Sequence, residues 1–139
     1  MLKKEFFGDW TGKNRLWFDK PEPARSEGAI SVSKDAIDYQ WSFQGKEQQG
    51  TLRFFGPNPS LRVEWQDTFH SKDKVDMHGS FLNQFLELFG TYPDGEGGEW
   101  GWKIEIDFRD PEFLRLRMYN VEPNGNIHIA VDLTSSRED

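Results

Sequence analysis

A closed, antiparallel, all-β barrel is the fold this sequence predicts, and three observations predict it. Apolar residues recur at every second position through most of the chain, the period of a half-buried strand. Turn-forming clusters interrupt that pattern every 8–12 residues or so, the rhythm of a sandwich or barrel. Aromatic residues make up 15% of the 139 positions, with 12 Phe and 6 Trp, a composition suited to pleated surfaces rather than helices.

The elements follow in order. From Trp10, the residues Trp10, Gly12, Asn14, Leu16 and Phe18 share one face, while Asp9, Thr11, Lys13, Arg15 and Trp17 take the other. Two prolines in Asp19-Lys20-Pro21-Glu22-Pro23 exclude a central strand there, and the link is read as Asp19–Glu27. A strand follows at Ala29–Ser33. Ile37, Tyr39, Trp41 and Phe43 then alternate with Asp38, Gln40 and Ser42 up to a hairpin turn at Gln44-Gly45-Lys46. Gly50–Phe55 forms the next strand, stopped by Gly56-Pro57-Asn58-Pro59. Leu61, Val63, Trp65 and Asp67 make one face of another, which polar Ser71-Lys72-Asp73-Lys74 closes.

Val75–Leu82 and Phe85–Tyr92 read as two strands parted near Asn83. The spacing of Leu82, Phe85, Leu86 and Phe89 would also suit a short helix; strand is preferred. After the loop Pro93–Gly98, the residues Trp100, Trp102, Ile104, Ile106 and Phe108 form the clearest strand face. Leu114, Leu116 and Met118 mark the ninth strand. Asn124-Gly125, the strongest short hairpin signal, leads to a last strand carrying Ile127, Ile129, Val131 and Leu133. The tail Ser135–Asp139 is expected to fray. About ten strands joined by short links favour a single up-and-down barrel over residues 1–139, whose closure removes the sheet edges.

The formal charge of −7 repels phosphate backbones, and no basic stripe offsets it, so nucleic acid is not an expected partner. No apolar run approaches the ~20 residues that span a bilayer. Lys3 and Lys4 have no apolar stretch behind them, and with no cysteine in the chain a cytoplasmic, reducing location is the expectation. No cofactor is expected.

Gly8-Asp9-Trp10 carries the Gly-x-Trp signature of lipocalin-like (calycin) barrels, where glycine allows a tight turn into the first strand and tryptophan plugs one end. With Trp65-Gln66-Asp67 and His70, Trp100-Gly101-Trp102-Lys103-Ile104-Glu105, and Arg117-Met118-Tyr119-Asn120-Val121 following in order, the chain resembles, nearly end to end, a bacterial family of uncharacterised lipocalin-like domains. The resemblance implies an eight- to ten-stranded barrel and no assigned activity. The proline-bearing link after the first strand is too short for the helical lid of fatty-acid-binding barrels, so a loop would cover any cavity.

A barrel of this size either fills itself with side chains or leaves room for one small ligand. Tyr39, Trp41, Trp65 and Trp102 supply an aromatic interior for either. Asn14 and Asp67 fall on the same inward faces and would be its fixed polar groups. Asp67 and His70, three residues apart at a strand end, suit a hydrogen-bonded pair that either ties the loop or acts as acid and base; no Ser or Thr is placed to complete a triad. His70, Asp73, Asp76 and His78 flank one hairpin, but their spacing matches no metal motif, and no metal site is assigned. Arg117 and Tyr119 resemble the carboxylate grip of fatty-acid-binding barrels, yet alternation against Leu116 and Met118 turns them outward. Alternation likewise turns His128, the candidate axial ligand for a haem, to solvent. Gly95–Gly101 lacks the Lys-Ser/Thr of a phosphate loop and reads as a turn.

Three functional readings remain in order of preference. The first is a small apolar or amphipathic ligand bound inside the barrel through Asn14, Tyr39, Trp41, Trp65, Asp67, His70 and Trp102. The second is a filled interaction module, with a homodimer through the outer face at Arg15 and Trp17. The third is an enzyme using Asp67 and His70.

Overall fold

The computed structural model describes residues 2–56 and 61–137. A 3-10 turn, Lys4–Phe6, precedes ten strands: β1 Gly8–Leu16, β2 Ala24–Val32, β3 Ala36–Phe43, β4 Lys46–Phe55, β5 Leu61–Asp67, β6 Ser71–Leu82, β7 Phe85–Pro93, β8 Glu99–Asp107, β9 Phe113–Val121 and β10 Ile127–Arg137. Each pairs antiparallel with its sequence neighbours, and β1 pairs with β10 from Trp10↔Arg137 to Leu16↔Val131, closing the barrel. Among the described residues, no helix is long and apolar enough to cross a membrane.

The expected alternation is visible strand by strand. Trp41, Trp65 and Trp102, on three different strands, keep only 2%, 1% and 1% of their surfaces exposed. Ile37, Leu52, Val63, Met77, Leu88 and Ile104 fill the middle of the core. One end is plugged: Gly8 sits at φ +118, where a side chain would be strained, and this turns Trp10 inward. The Trp10 indole donates to Phe6 O at 3.1 Å, and Phe6 packs on Phe108 at 4.7 Å between ring centroids.

Several sequence expectations are corrected. β2 begins at Ala24, five residues before the expected start, so the first link spans only residues 17–23. Ser71–Lys74 does not close β5; it opens β6, and the turn is confined to Thr68–His70. Phe81–Phe89 is not helical. Asn83 and Gln84 both take positive φ (52° and 63°), giving the twist of a two-residue hairpin without the usual glycine.

The tail does not fray through the described residues: β10 continues to Arg137, Ser135 is buried, and its hydroxyl donates to Leu114 O at 2.9 Å. Arg137 lies over the Trp10 ring at 4.3 Å and donates to the carbonyls of Glu5 and Phe7. The register of β10 shifts between Ile129 and Val131, a bulge at Ala130. Ile127, expected in the core, is therefore 55% exposed, while Ala130, Val131, Asp132 and Leu133 are buried in succession. The stop at Pro57-Asn58-Pro59 and the final Glu138 and Asp139 lie outside the described residues.

Candidate functional site

The end opposite the Trp10 plug is formed by the C-terminal end of β1 with its link, the β5–β6 turn, and the adjoining ends of β7, β8, β9 and β10. A cavity of about 240 Å³ lies there, walled by Phe18, Trp65, Phe69, His70, Trp102 and Asn120 among others. Phe18, 56% exposed, packs edge-on against Phe43 and Phe69 and forms part of the rim. Trp65 and Trp102 stack at 5.0 Å with only 10° between planes. The His70 ring sits 4.7 Å from Trp102 and 6.0 Å from Trp41.

Asp67 organises this end from behind. Its Oδ1 accepts the backbone N–H groups of Phe69, His70 and Ser71, an arrangement that bends the chain tightly between β5 and β6. Its Oδ2 accepts the Tyr39 hydroxyl at 2.6 Å and lies 3.0 Å from His70 Nδ1. The Trp65 indole donates in turn to the Tyr39 oxygen at 2.9 Å. Burial alone would push the Asp67 carboxyl up, but hydrogen bonds from the His70 ring, the Tyr39 hydroxyl and the His70 backbone N–H outweigh it. The carboxyl is held below the ordinary aspartate range. Burial, and then the neighbouring Asp67 charge, push the Tyr39 hydroxyl well up, so it stays a donor.

An ionised carboxylate only accepts, so His70 Nδ1 carries the proton on that edge. The imidazole keeps 13% of its surface open and presents its other edge, with Nε2, toward the cavity it lines. Nearby, the Tyr92 hydroxyl donates to Asn120 Oδ1 at 2.7 Å. The indole N–H of Trp102 is buried without a hydrogen-bond partner, as are the Trp41 N–H and both polar atoms of the Asn14 side chain. Each such group costs about 1–3 kcal/mol unless something meets it.

The sequence-predicted residues are thus only partly brought together. Trp65, His70 and Trp102 line the cavity; Tyr39 and Asp67 support it from behind; Trp41 touches the His70 and Phe69 rings. Asn14 is buried in the β1 wall and does not line the cavity. Ser71 lines it, but the Ser71 hydroxyl is given to Asp73 O at 2.7 Å and not to His70, so it adds no nucleophile to the pair. Among the described residues, no group of three or more His, Asp or Glu side chains is placed to hold a metal.

Arg117 and Tyr119 do point outward, each toward Glu105, with Met118 buried between them. His128 is exposed, pairs across the sheet with Asn120, and has Nε2 2.8 Å from Glu122. Arg15, on the proposed dimer face, is bound to buried Asp132 at 2.6 Å and stacked on Trp17 at 5.2 Å.

Sequence reasoning missed Tyr92, Asn120, Phe69 and Gly50. The first two occupy strand ends flanking loops, where position alone hints at a rim. Gly50 has a sharper role: a Cβ there would lie 2.2 Å from Tyr39 Cζ and 2.3 Å from its hydroxyl. The glycine makes the space through which Tyr39 reaches Asp67.

Among solved structures, the crystal structure of Rv2717c from M. tuberculosis is similar in fold. It has a TM-score of 0.57 at 12% sequence identity, over 98% of this chain and 94% of that chain. At that identity the likeness shows the barrel alone. No family model and no curated protein matches the sequence, so the lipocalin-like kinship is a resemblance carried by the motifs above.

Proposed function

We propose that this barrel binds one small, mainly apolar molecule in the cavity at its open end, with a single polar atom of the ligand facing His70. The observation that carries this reading is the aromatic cavity itself, bounded by two stacked indoles and one imidazole held in a fixed orientation. A few convergent polar groups in an apolar recess are the ordinary makeup of a ligand site. Size limits the ligand. An apolar cavity of about 150 Å³ takes a benzene ring, so 240 Å³ suits a substituted monocyclic aromatic and excludes a long fatty acyl chain or a macrocycle.

Titration of the protein with indole and with 4-methylanisole, followed by tryptophan emission, tests this. The expected result is a saturable change, because Trp65 and Trp102 form the walls. Ala130→Leu, which extends a buried lining residue into the space, should abolish the change while the circular dichroism of the barrel is retained. Emission indifferent to both ligands would favour the filled interaction module instead.

A further inference from the structure

The Asp67–His70 pair says more about the ligand than its size. We infer that the cavity takes an aromatic hydroxyl compound, a phenol, and that His70 Nε2 removes its proton on binding. This rests on the proposed ligand site and adds the chemical class and the protonation state of what occupies it.

Three observations converge. Asp67 is ionised, buried, and saturated on one oxygen by three backbone N–H groups, so its remaining acceptor is directed at Tyr39 and His70. A carboxylate on Nδ1 fixes the tautomer, leaves the Nε2 lone pair facing the cavity, and stabilises the imidazolium that forms when Nε2 gains a proton. Beside it, the walls are flat indoles suited to a ring. An apolar ligand would leave the lone pair unmet. A carboxylic acid has already lost its proton in water near neutrality, so it would bring a second full negative charge near Asp67 and has no proton to give a base.

The step balances simply. The phenol O–H bond breaks, the electron pair stays on oxygen, and the proton forms the Nε2–H bond of an imidazolium already tied to Asp67. The titratable groups facing His70 are Asp67 from β5, Tyr39 from β3 behind the carboxylate, and Tyr92 from β7 across the cavity. The link after β1 contributes Trp17 and Phe18, and β8, β9 and β10 contribute Trp102, Asn120 and Ala130, none of them charged.

The test uses 4-nitrophenol, whose phenolate has its own visible absorption, with 4-nitroanisole as a partner that cannot ionise. Both should quench tryptophan emission. Bound 4-nitrophenol should show at least a tenfold higher ratio of phenolate to phenol than the free compound at the same pH, in line with a charge-assisted hydrogen bond. His70→Gln should erase that excess in the 4-nitrophenol that still binds. In the unaltered protein, 15N NMR should show His70 Nε2 gaining a proton on adding 4-nitrophenol and not on adding 4-nitroanisole. This arm needs no variant to fold. Binding of 4-nitrophenol with the titration of the free compound, or an excess that survives His70→Gln, overturns the inference and leaves the ligand site standing. Failure of both compounds to bind removes the site and the inference together.

Discussion

Replacing Tyr39 with Phe probes the support behind the cavity with the smallest change in shape, one oxygen atom. That oxygen donates to the Asp67 carboxylate at 2.6 Å and accepts the Trp65 indole at 2.9 Å, with all three groups buried. A hydrogen bond to a charged group is worth about 1.5–3 kcal/mol, and an orphaned buried donor costs about 1–3 kcal/mol. The two share one atom and do not add fully, so the loss should be about 3 kcal/mol. With a urea dependence of about 2 kcal/mol per molar for a domain of this size, the midpoint should fall by about 1.5 M, read by tryptophan emission.

The loss should also depend on pH. Asp67 is depressed in the folded protein, so its contribution is complete above the ordinary aspartate value of 3.8 and disappears as pH falls through the folded value. The difference between Tyr39→Phe and the unaltered protein should therefore be largest near neutrality and narrow in acid. A neutral-pH midpoint within about 0.25 M of the unaltered protein would refute the idea that this chain of hydrogen bonds supports the barrel.

Other substitutions probe different parts of the same argument. Gly50→Ala should cost about 2 kcal/mol or more in the same unfolding assay, because the new methyl meets the tyrosine ring end and the Asp67 side chain. Asp132→Asn should lower the thermal midpoint, since this buried carboxylate receives Arg15 at 2.6 Å and Arg115 at 2.7 Å. The two guanidiniums are about two-fifths exposed, so solvent screening reduces the loss to about 1–2 kcal/mol. Burial pushes the Asp132 carboxyl up and hydrogen bonds from Arg115 and Arg15 more than reverse it. The stability it supplies should therefore be present above ordinary aspartate titration and vanish in acid. Arg137→Ala should cost about 1–2 kcal/mol by removing two donors from the plugged end, seen as faster amide exchange in β1.

The barrel was legible because alternation and turn chemistry are local and repeat along the chain. Trp41, Trp65 and Trp102 could be placed inside from their neighbours alone. The failures arose where a backbone adjustment breaks the period. The bulge at Ala130 throws Ile127 outward, and Asn83-Gln84 forms a tight hairpin without a glycine to announce it. The Asp67–His70 contact followed from a three-residue spacing at a strand end. Tyr39 joined it only because β3 and β5 flank β4 and Gly50 leaves a gap between them, a relation between distant positions that no single stretch of sequence displays. Asn14 shows what alternation leaves open: facing inward does not place a side chain at the end where the cavity lies.

The pairing of β1 with β10 also sets a timetable for synthesis. Once β2 is made, the first strand still has one side unmatched, and the mate of that side is β10, more than a hundred residues on. Until β10 has been made, two ribbons of backbone donors and acceptors stay open to neighbouring nascent chains. A message cut short before Ile127 would yield a permanently unsealed sheet, prone to stacking with its own copies and not merely a weaker version of the same molecule.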